Sequence, residues 1–215
     1  MIPHTGYSQR PAPHYTLKTM RTAHIALGAN LPSTAGEPMD TLAVAVERLA
    51  ELGHIKAKSA LYSTAPVGYA AQPRFLNAVV ALETALPPHH LLDALRKIEH
   101  EFGRDRRMYI PNGPRSLDLD ILLMDDVCIG EADLTIPHPR LADRIFVLVP
   151  LYEIAARIVD PRSHRTIAEL LSLLHKTRDL DIDAVVRFES DAWVPLAPSV
   201  PGGSGPKSAQ PSNSL

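Results

Sequence analysis

The order of apolar patterns between residues 24 and 124 constrains the fold most. Apolar residues that recur every three or four positions indicate helices, and short apolar or alternating runs bounded by Gly, Pro or Asn indicate strands. The order strand, helix, strand, strand, helix, strand predicts an α+β fold: a ferredoxin-like sandwich with a mostly antiparallel sheet and flanking helices. The segments are a strand at 24–30, a helix at 39–52, strands at 54–63 and 75–86, a helix that starts at Pro87–Pro88 and ends at Gly103, and a strand around Asp118.

The bulk composition fits one domain with extensions at both ends. The chain has 215 residues and is 45% hydrophobic, which is enough for a sizeable core. Residues 1–21 are polar, and 13 of the last 21 residues are Pro, Gly or Ser, so neither end has the apolar content needed to order itself. We therefore expect a disordered leader at 1–21, a folded domain at 22–188 and a disordered tail at 189–215.

Charge and cysteine content narrow the class of protein. A formal net charge of −2 gives no global electrostatic attraction to nucleic acid, and no run of eighteen apolar residues predicts a membrane helix. The single cysteine, Cys128, permits no intramolecular disulfide and no Cys-rich metal site. We expect a cytoplasmic protein that binds neither nucleic acid nor membrane; its protein partners stay open.

The stretch GPRSLDLDILLMDD (113–126) carries the clearest chemistry. Side chains alternate along a strand, so Asp118 and Asp120 share one face while Leu119 points to the other. Two carboxylates this close repel unless a cation separates them, and either Arg115 or a metal ion could do so. Such a pair is often only a solvated face. The arginines of GRDRR (103–107), however, supply the other half of a phosphoryl-transfer site, which needs metal-binding carboxylates and phosphate-binding guanidinium groups.

A second cluster suits a planar ligand. Phe75 and Asn77 share one strand face, so an aromatic ring lies beside an amide that can donate to and accept from the edge of a nitrogen heterocycle. Phe146 could cover the opposite face of the ring. His138, held between two prolines, could donate to a phosphate. The glycine-rich nucleotide loops are missing, so arginines and metal would have to hold any phosphates.

These segments closely resemble the 6-hydroxymethyl-7,8-dihydropterin pyrophosphokinase family. The resemblance rests on GPRSLDLDILLMDD, on GRDRR and on YSTAPVGYAAQPRFLNAVVALET, with IALGAN near the start and TIPHPRLADRIFVLVPL later. It implies transfer of pyrophosphate from ATP to the pterin hydroxymethyl group, release of AMP, and two Mg²⁺ ions. It also implies that the loops 64–74 and 103–114 are mobile flaps that close over the substrates.

The resemblance also implies a role for each matching residue. Both Mg²⁺ ions would be held by Asp118 and Asp120, which would be catalytic together with three arginines. The three catalytic arginines would be Arg104, Arg106 and Arg115. The pterin would be bound by Thr64, Val67, Phe75, Asn77 and Phe146. The nucleotide would be bound by Glu99, Arg104, Arg115, Leu134, Thr135, His138 and Arg144.

The sequence departs from this pattern at three places, and two other functions stay open. Asn112 stands where a close relative can carry tryptophan, Arg107 has no counterpart, and Asp133 stands where an arginine can occur. One alternative is another Mg²⁺-dependent phosphotransferase or nuclease that uses the same carboxylate pair. The other is an RNA-binding ferredoxin-like module, although the aromatic-rich strand motif of such modules is missing.

Overall fold

A computed structural model describes residues 19–66, 68–69, 71–104, 113–177 and 185–198. The first half of the chain forms β1 (Arg21–Ala29), α1 (Pro38–Ala50), β2 (His54–Lys58), β3 (Leu61–Thr64), β4 (Phe75–Thr84), α2 (Pro88–Glu101) and β5 (Asp118–Met124). The second half forms β6 (Ile129–Gly130), β7 (Thr135–Ile136), a 3-10 turn (Leu141–Asp143), α3 (Ile145–Ala155), β8 (Val159–Asp160), β9 (Arg165–Thr166), α4 (Ile167–Thr177) and β10 (Val185–Phe188).

The main sheet has the order β10-β3-β4-β1-β5, and β2 pairs with β4 beyond the end of β3. Every pair in it is antiparallel. The first pair of helices follows β1 and β4, as the predicted order requires, so the ferredoxin-like α+β fold is confirmed. None of the helices in the described part of the chain has the length and apolar character needed to cross a membrane.

Two apolar layers enclose the sheet. Ile25 and Leu27 of β1 pack with Leu42 of α1 and Leu95 of α2 on one face, where every one of these side chains is buried. The opposite face packs against α3 and α4. Because the central strands are covered on both sides, they read as continuous apolar runs, and the polar residues that interrupt those runs stand out as candidates for function.

The strand predicted over 54–63 is wrong as a single element, because it breaks into β2 and β3 at Ser59–Ala60. Ser59 Oγ accepts from the Val79 amide at 3.0 Å and donates to the Ala60 carbonyl at 2.8 Å, which replaces part of the backbone ladder. The break leaves the Ser59 carbonyl and the Ala60 amide free for other partners. Both take part in contacts described below.

The disordered tail predicted from residue 189 is wrong over its first ten residues. Trp193 is buried with 4% exposure, and Leu196 exchanges two backbone hydrogen bonds of 2.8 Å with Lys58. One large aromatic side chain supplies apolar burial that the Pro-rich composition of the tail conceals. The folded domain therefore extends to at least residue 198. At the other end, β1 begins at Arg21, one residue before the predicted boundary.

His24 is a polar residue inside the apolar layer, and it makes stability depend on pH. Its side chain is 3% exposed, and Nδ1 has no hydrogen-bond partner among the described residues. Burial lowers the pKa of His24 from 6.5 to about 4. The unfolded chain therefore binds more protons between these values, and the stability that neutral His24 permits is lost as pH falls from 6.5 towards 4.

We predict that His24→Leu raises the free energy of unfolding at pH 7.5 by about 1 kcal/mol, since it removes an unsatisfied buried nitrogen. The gain should be larger at pH 5, where wild-type folding must also deprotonate the imidazole. Denaturant melts at both pH values measure this. His175→Leu, at an exposed position on α4, is the control. An equal gain at both pH values would contradict the assignment.

Candidate active site

The two aspartates lie at the start of β5 on one face of the sheet. Asp118 and Asp120 are both partly exposed, while Leu119 between them is 3% exposed and packs in the core on the side of α1 and α2. The alternation predicted from sequence is therefore present. Both carboxylates lie on the same side of the sheet as Ala26 and Val147, beside which they line a cavity.

Asp118 is held by two arginines. Arg115 Nη1 lies 2.6 Å from Oδ2, and Arg104 Nη1 binds Oδ1. Burial opposes ionisation of this carboxyl group, but the two guanidinium groups outweigh burial and hold the pKa of Asp118 below its ordinary value. The sequence left open whether arginine or a metal ion neutralises the aspartate pair. In this structure arginine neutralises Asp118.

Glu99 on α2 is a further member of that ion cluster. It is 1% exposed on α2, where its Oε1 accepts from the Leu119 amide at 2.9 Å and binds Arg104. Burial lowers the pKa of Arg104, but Asp118 and Glu99 outweigh burial and raise it above the ordinary value. Glu99 thus fixes Arg104 against β5. Its predicted contact with a nucleotide stays a prediction.

Asp120 is less well neutralised. Among the described residues, the Arg144 guanidinium lies 3.7 Å from Oδ2 through Nη1, and the neutral His138 ring lies 3.9 Å from it through Nε2. Burial, and after it the charge of Asp118, raises the pKa of Asp120 to about 6. A carboxylate with this surplus of negative charge has room for a further cation. Since hard carboxylate oxygens are the ligands of Mg²⁺, the donor set fits that ion.

His138 has a neutral imidazole whose Nε2 lies 3.9 Å from Asp120 Oδ2, beyond hydrogen-bond distance. Its Nδ1 accepts from the Arg140 amide at 3.1 Å, so the hydrogen of a neutral imidazole is on Nε2, which faces the carboxylate. Burial, followed by the charges of Arg144 and Arg140, lowers the pKa of His138 to about 4. Arg162 Nη2 holds the turn by donating to the Pro137 carbonyl at 2.7 Å.

An open pocket joins the Asp118 end to the aromatic end of the site. Asn77 is buried at the aromatic end, and its Nδ2 donates to Thr64 Oγ1 at 2.7 Å. An arginine lies over each of the two aromatic rings. The Cζ atom of Arg115 is 5.9 Å from the Phe75 ring centroid, and that of Arg144 is 5.5 Å from the Phe146 ring centroid. The lining includes Thr64, Phe75, Asn77, Arg115, Asp118 and Phe146.

Two residues of β1 and its following turn are functional candidates that sequence reasoning missed. Gly28 pairs with Asn77 on one side and Asp118 on the other, and a Cβ there would lie 2.9 Å from Asn77 Oδ1. Asn30 donates to Gln72 and Pro73 at 3.0 Å each and accepts from the Arg115 amide at 2.8 Å. A glycine inside a strand pattern indicates that another group approaches the backbone closely, so the sequence could have identified Gly28. The sequence could not identify Asn30 in this way, because its contacts are with residues distant in the chain.

The remaining predicted residues are not all in this pocket. Leu134 and Thr135 belong to the segment around β7, and Leu134 packs in the core on the side of α1 and α2. Neither lines the pocket. Val67, Arg106, Arg107 and Asn112 lie outside the described residues, as does most of the arginine-rich loop.

Taken together, an aspartate pair, phosphate-suited arginines and an aromatic slot with an amide edge define a transferase site for a phosphorylated co-substrate and a planar heterocycle. The family described as 7,8-dihydro-6-hydroxymethylpterin-pyrophosphokinase matches residues 24–156. The chain belongs to that family.

Individual relatives agree with this. A 2-amino-4-hydroxy-6-hydroxymethyldihydropteridine pyrophosphokinase of Haemophilus influenzae is 44% identical over 155 residues, which are 71% of this chain and 92% of the relative. A protein of the same name from Bacillus subtilis is 41% identical over 138 residues, covering 63% and 79%. A mitochondrial folate synthesis bifunctional protein of Arabidopsis thaliana is 44% identical over 150 residues, covering 67% of this chain but only 26% of that longer protein.

The fold has a solved counterpart. Wild-type Plasmodium falciparum HPPK-DHPS, crystallised with pterin and p-hydroxybenzoate, matches with a TM-score of 0.60 at 17% identity, over 79% of this chain and 45% of that one. At this identity the match concerns the fold alone. It agrees with the α+β architecture found here.

We predict that Asp120→Asn stabilises the metal-free protein in a pH-dependent way. The native carboxyl group, with its pKa raised from 3.8 to about 6, binds more protons than the unfolded one, so its contribution is complete below 3.8 and is lost as pH rises through 6. The variant should therefore gain stability between pH 4 and pH 8. We expect about 1 kcal/mol, a value discounted for screening because the side chain is 38% exposed.

Thermal melts in chelator at pH 4, 6 and 8 measure the difference between variant and wild type. Asp126→Asn, at an exposed position in the turn after β5, is the control. A difference that does not grow with pH would show that Asp120 ionises as readily as a surface carboxylate.

Proposed function

We propose that this chain transfers the pyrophosphoryl group of ATP to the hydroxymethyl oxygen of 6-hydroxymethyl-7,8-dihydropterin in folate biosynthesis and releases AMP. One observation carries the proposal: Asp118, Arg115 and Arg144 line one pocket together with the aromatic–amide slot of Phe75, Asn77 and Phe146. The first suits a polyphosphate and the second suits a pterin ring. Family membership supplies the reaction in which both are used.

The pterin would occupy the aromatic end. Its ring would stack between Phe75 and Phe146, and Asn77 would read its edge. Because Asn77 Nδ2 already donates to Thr64 Oγ1, the orientation of the amide is set before the ligand arrives. The backbone near Thr64 and Val67 would complete the contacts. In this arrangement the hydroxymethyl group would point towards the two aspartates.

ATP would occupy the arginine end, with Asp118 and Asp120 as ligands to two Mg²⁺ ions. When bound, Mg²⁺ supplies neutralisation of phosphate charge and alignment of the reacting oxygens. Arg115 and Arg144 lie on the pocket wall and would bind phosphate oxygens through their planar forks. His138 would donate its Nε2 hydrogen to a phosphate oxygen. Arg104 and Arg106 would complete the cradle, while Glu99, Leu134 and Thr135 would contribute on the nucleotide side.

The reaction then balances as a single displacement. The hydroxymethyl oxygen forms a bond to the β-phosphorus and its proton is released to solvent, while the bond between that phosphorus and the α,β-bridging oxygen breaks and AMP leaves with the bridging oxygen. The chain's own residues supply position and charge rather than a covalent intermediate, as expected for phosphoryl transfer. In the free protein Arg104 and Arg115 neutralise Asp118, so the arginines must share or exchange that carboxylate when the substrates bind.

We also propose that the enzyme acts in the cytoplasm. The exposed free thiol of Cys128 suits a reducing compartment. Mobile flaps at 64–74 and 103–114 remain part of the proposal, as does a division into a leader, a domain that extends to at least residue 198, and a tail after it.

We predict pterin-dependent AMP formation. The purified chain, ATP, Mg²⁺ and 6-hydroxymethyl-7,8-dihydropterin are incubated, and nucleotide products are separated by chromatography. Asp118→Ala and Asp120→Ala should each lower turnover by about 10³-fold or more while the protein stays folded, because each removes a group aimed at developing charge. Asp126→Ala, at an exposed turn, should keep wild-type turnover. Formation of ADP, or near wild-type turnover in either site variant, would reject the proposal.

We predict that Phe146→Ala mainly weakens pterin binding. The ring lines the pocket, and its loss removes one stacking face, worth about 1 kcal/mol or roughly fivefold in affinity. Leu173→Ala, at an exposed position on α4, is the control. Equilibrium titration with the pterin in the presence of a non-hydrolysable ATP analogue measures the change. An unchanged pterin affinity would speak against the aromatic sandwich.

A further inference from the structure

Residues 185–198, called here the C-terminal segment, lie beyond the part of the chain that the family model matches. The segment runs along the edge of the sheet next to the pocket. Its strand β10 pairs antiparallel with β3 from Val185 opposite Thr64 to Phe188 opposite Leu61. Further on, Leu196 pairs with Lys58 through two hydrogen bonds of 2.8 Å. The segment therefore covers both sides of the break between β2 and β3.

Trp193 anchors the segment at that break. Its Nε1 donates to the Ser59 carbonyl at 2.8 Å, which is the carbonyl released by the break. The indole is 4% exposed, and Lys58 Nζ lies 4.4 Å from its ring centroid. A buried aromatic ring with a satisfied N–H and a cation over its face is a firm attachment.

A carboxylate on α3 joins the same edge to the other wall of the pocket. Glu153 Oε2 accepts from the Ala60 amide and from the Tyr62 hydroxyl, both at 3.0 Å. Arg187 of β10 lies 3.9 Å from Glu153 Oε1. Phe146 is also on α3. The contacts of Glu153 therefore link β3 and the C-terminal segment to the helix that supplies one side of the aromatic slot.

The strand held in this way ends in the pterin pocket. β3 pairs with β4 through only three residues, the last of which places Thr64 opposite Phe75. Without β10 it would be a short edge strand with one neighbour, and such strands are weakly held. A shift of β3 would move Thr64 and with it the amide of Asn77. The aspartates lie on β5, which is separated from β3 by two strands.

We propose that the C-terminal segment positions β3 for pterin binding, with Trp193 as the positioning residue. The inference rests on the proposed function, because it names the pterin as the ligand of this end of the pocket. Its distinctive consequence is selectivity: loss of the anchor affects the pterin and not ATP.

The test compares Trp193→Ala with Trp193→Phe in the full chain. In Trp193→Ala the KM for the pterin should rise about tenfold, while kcat and the KM for ATP stay within about twofold, because only the pterin end loses its support. Trp193→Phe should recover most of the loss, since a ring refills the site and keeps the cation contact. Equal rises in both KM values, or an unchanged pterin KM, would overturn the proposal.

Two further measurements keep the result interpretable. Val194→Ala, whose side chain is 69% exposed, is the neighbouring control and should behave as wild type. If Trp193→Ala does not fold, the same comparison is made on Leu196→Pro, which removes one backbone hydrogen bond to Lys58 and should raise the pterin KM about threefold. A wild-type chain without pterin-dependent AMP would reject the proposed function itself, whereas an active wild type with an unchanged pterin KM in the variants rejects only this inference.

Discussion

The buried ion cluster at the entrance of β5 is the interaction on which the site depends. Glu99 and Asp118 bring two carboxylates into a partly buried space, and Arg104 bridges them while Arg115 holds the second from outside. Removing one partner would leave an uncompensated charge. The cluster also joins α2 to β5, because Glu99 accepts the Leu119 amide. The start of the strand and the direction of both aspartates are therefore set by the same contacts.

The sheet also fixes the position of the heterocycle end of the site relative to the polyphosphate end. Gly28 lies between Asp118 and Asn77 and leaves no room for a side chain, so the polyphosphate end and the heterocycle end are separated by a single backbone strand. Asn30, at the end of the same strand, binds both Pro73 and Arg115 and so connects the two loops that flank the pocket. Strand β1 thus sets the distance between two binding sites that belong to separate sequence motifs.

Much of this could be predicted from the sequence, since strand alternation and helix periodicity are local properties. The shared strand face of Asp118 and Asp120, and that of Phe75 and Asn77, follow from the two-residue period of a strand alone. The break at Ser59, the burial of Glu99 and the docking of Trp193 could not be predicted, because each depends on partners distant in the chain. Glu99 in particular resembles any other charge on a helix until Arg104 and the Leu119 amide are placed beside it. Composition also concealed Trp193 within a Pro-rich stretch.

The most direct test of the central claim measures how Mg²⁺ changes the binding of a non-hydrolysable ATP analogue, by calorimetry, in wild type and in Asp118→Asn. If arginines neutralise Asp118 in the free protein and the ion takes that role with substrate, Mg²⁺ should strengthen binding to the wild type by about tenfold or more. Asp118→Asn should lose that gain yet bind the metal-free analogue at least as well, because Arg115 no longer pairs with a carboxylate at this position. Retention of the full Mg²⁺ effect in Asp118→Asn would contradict the account.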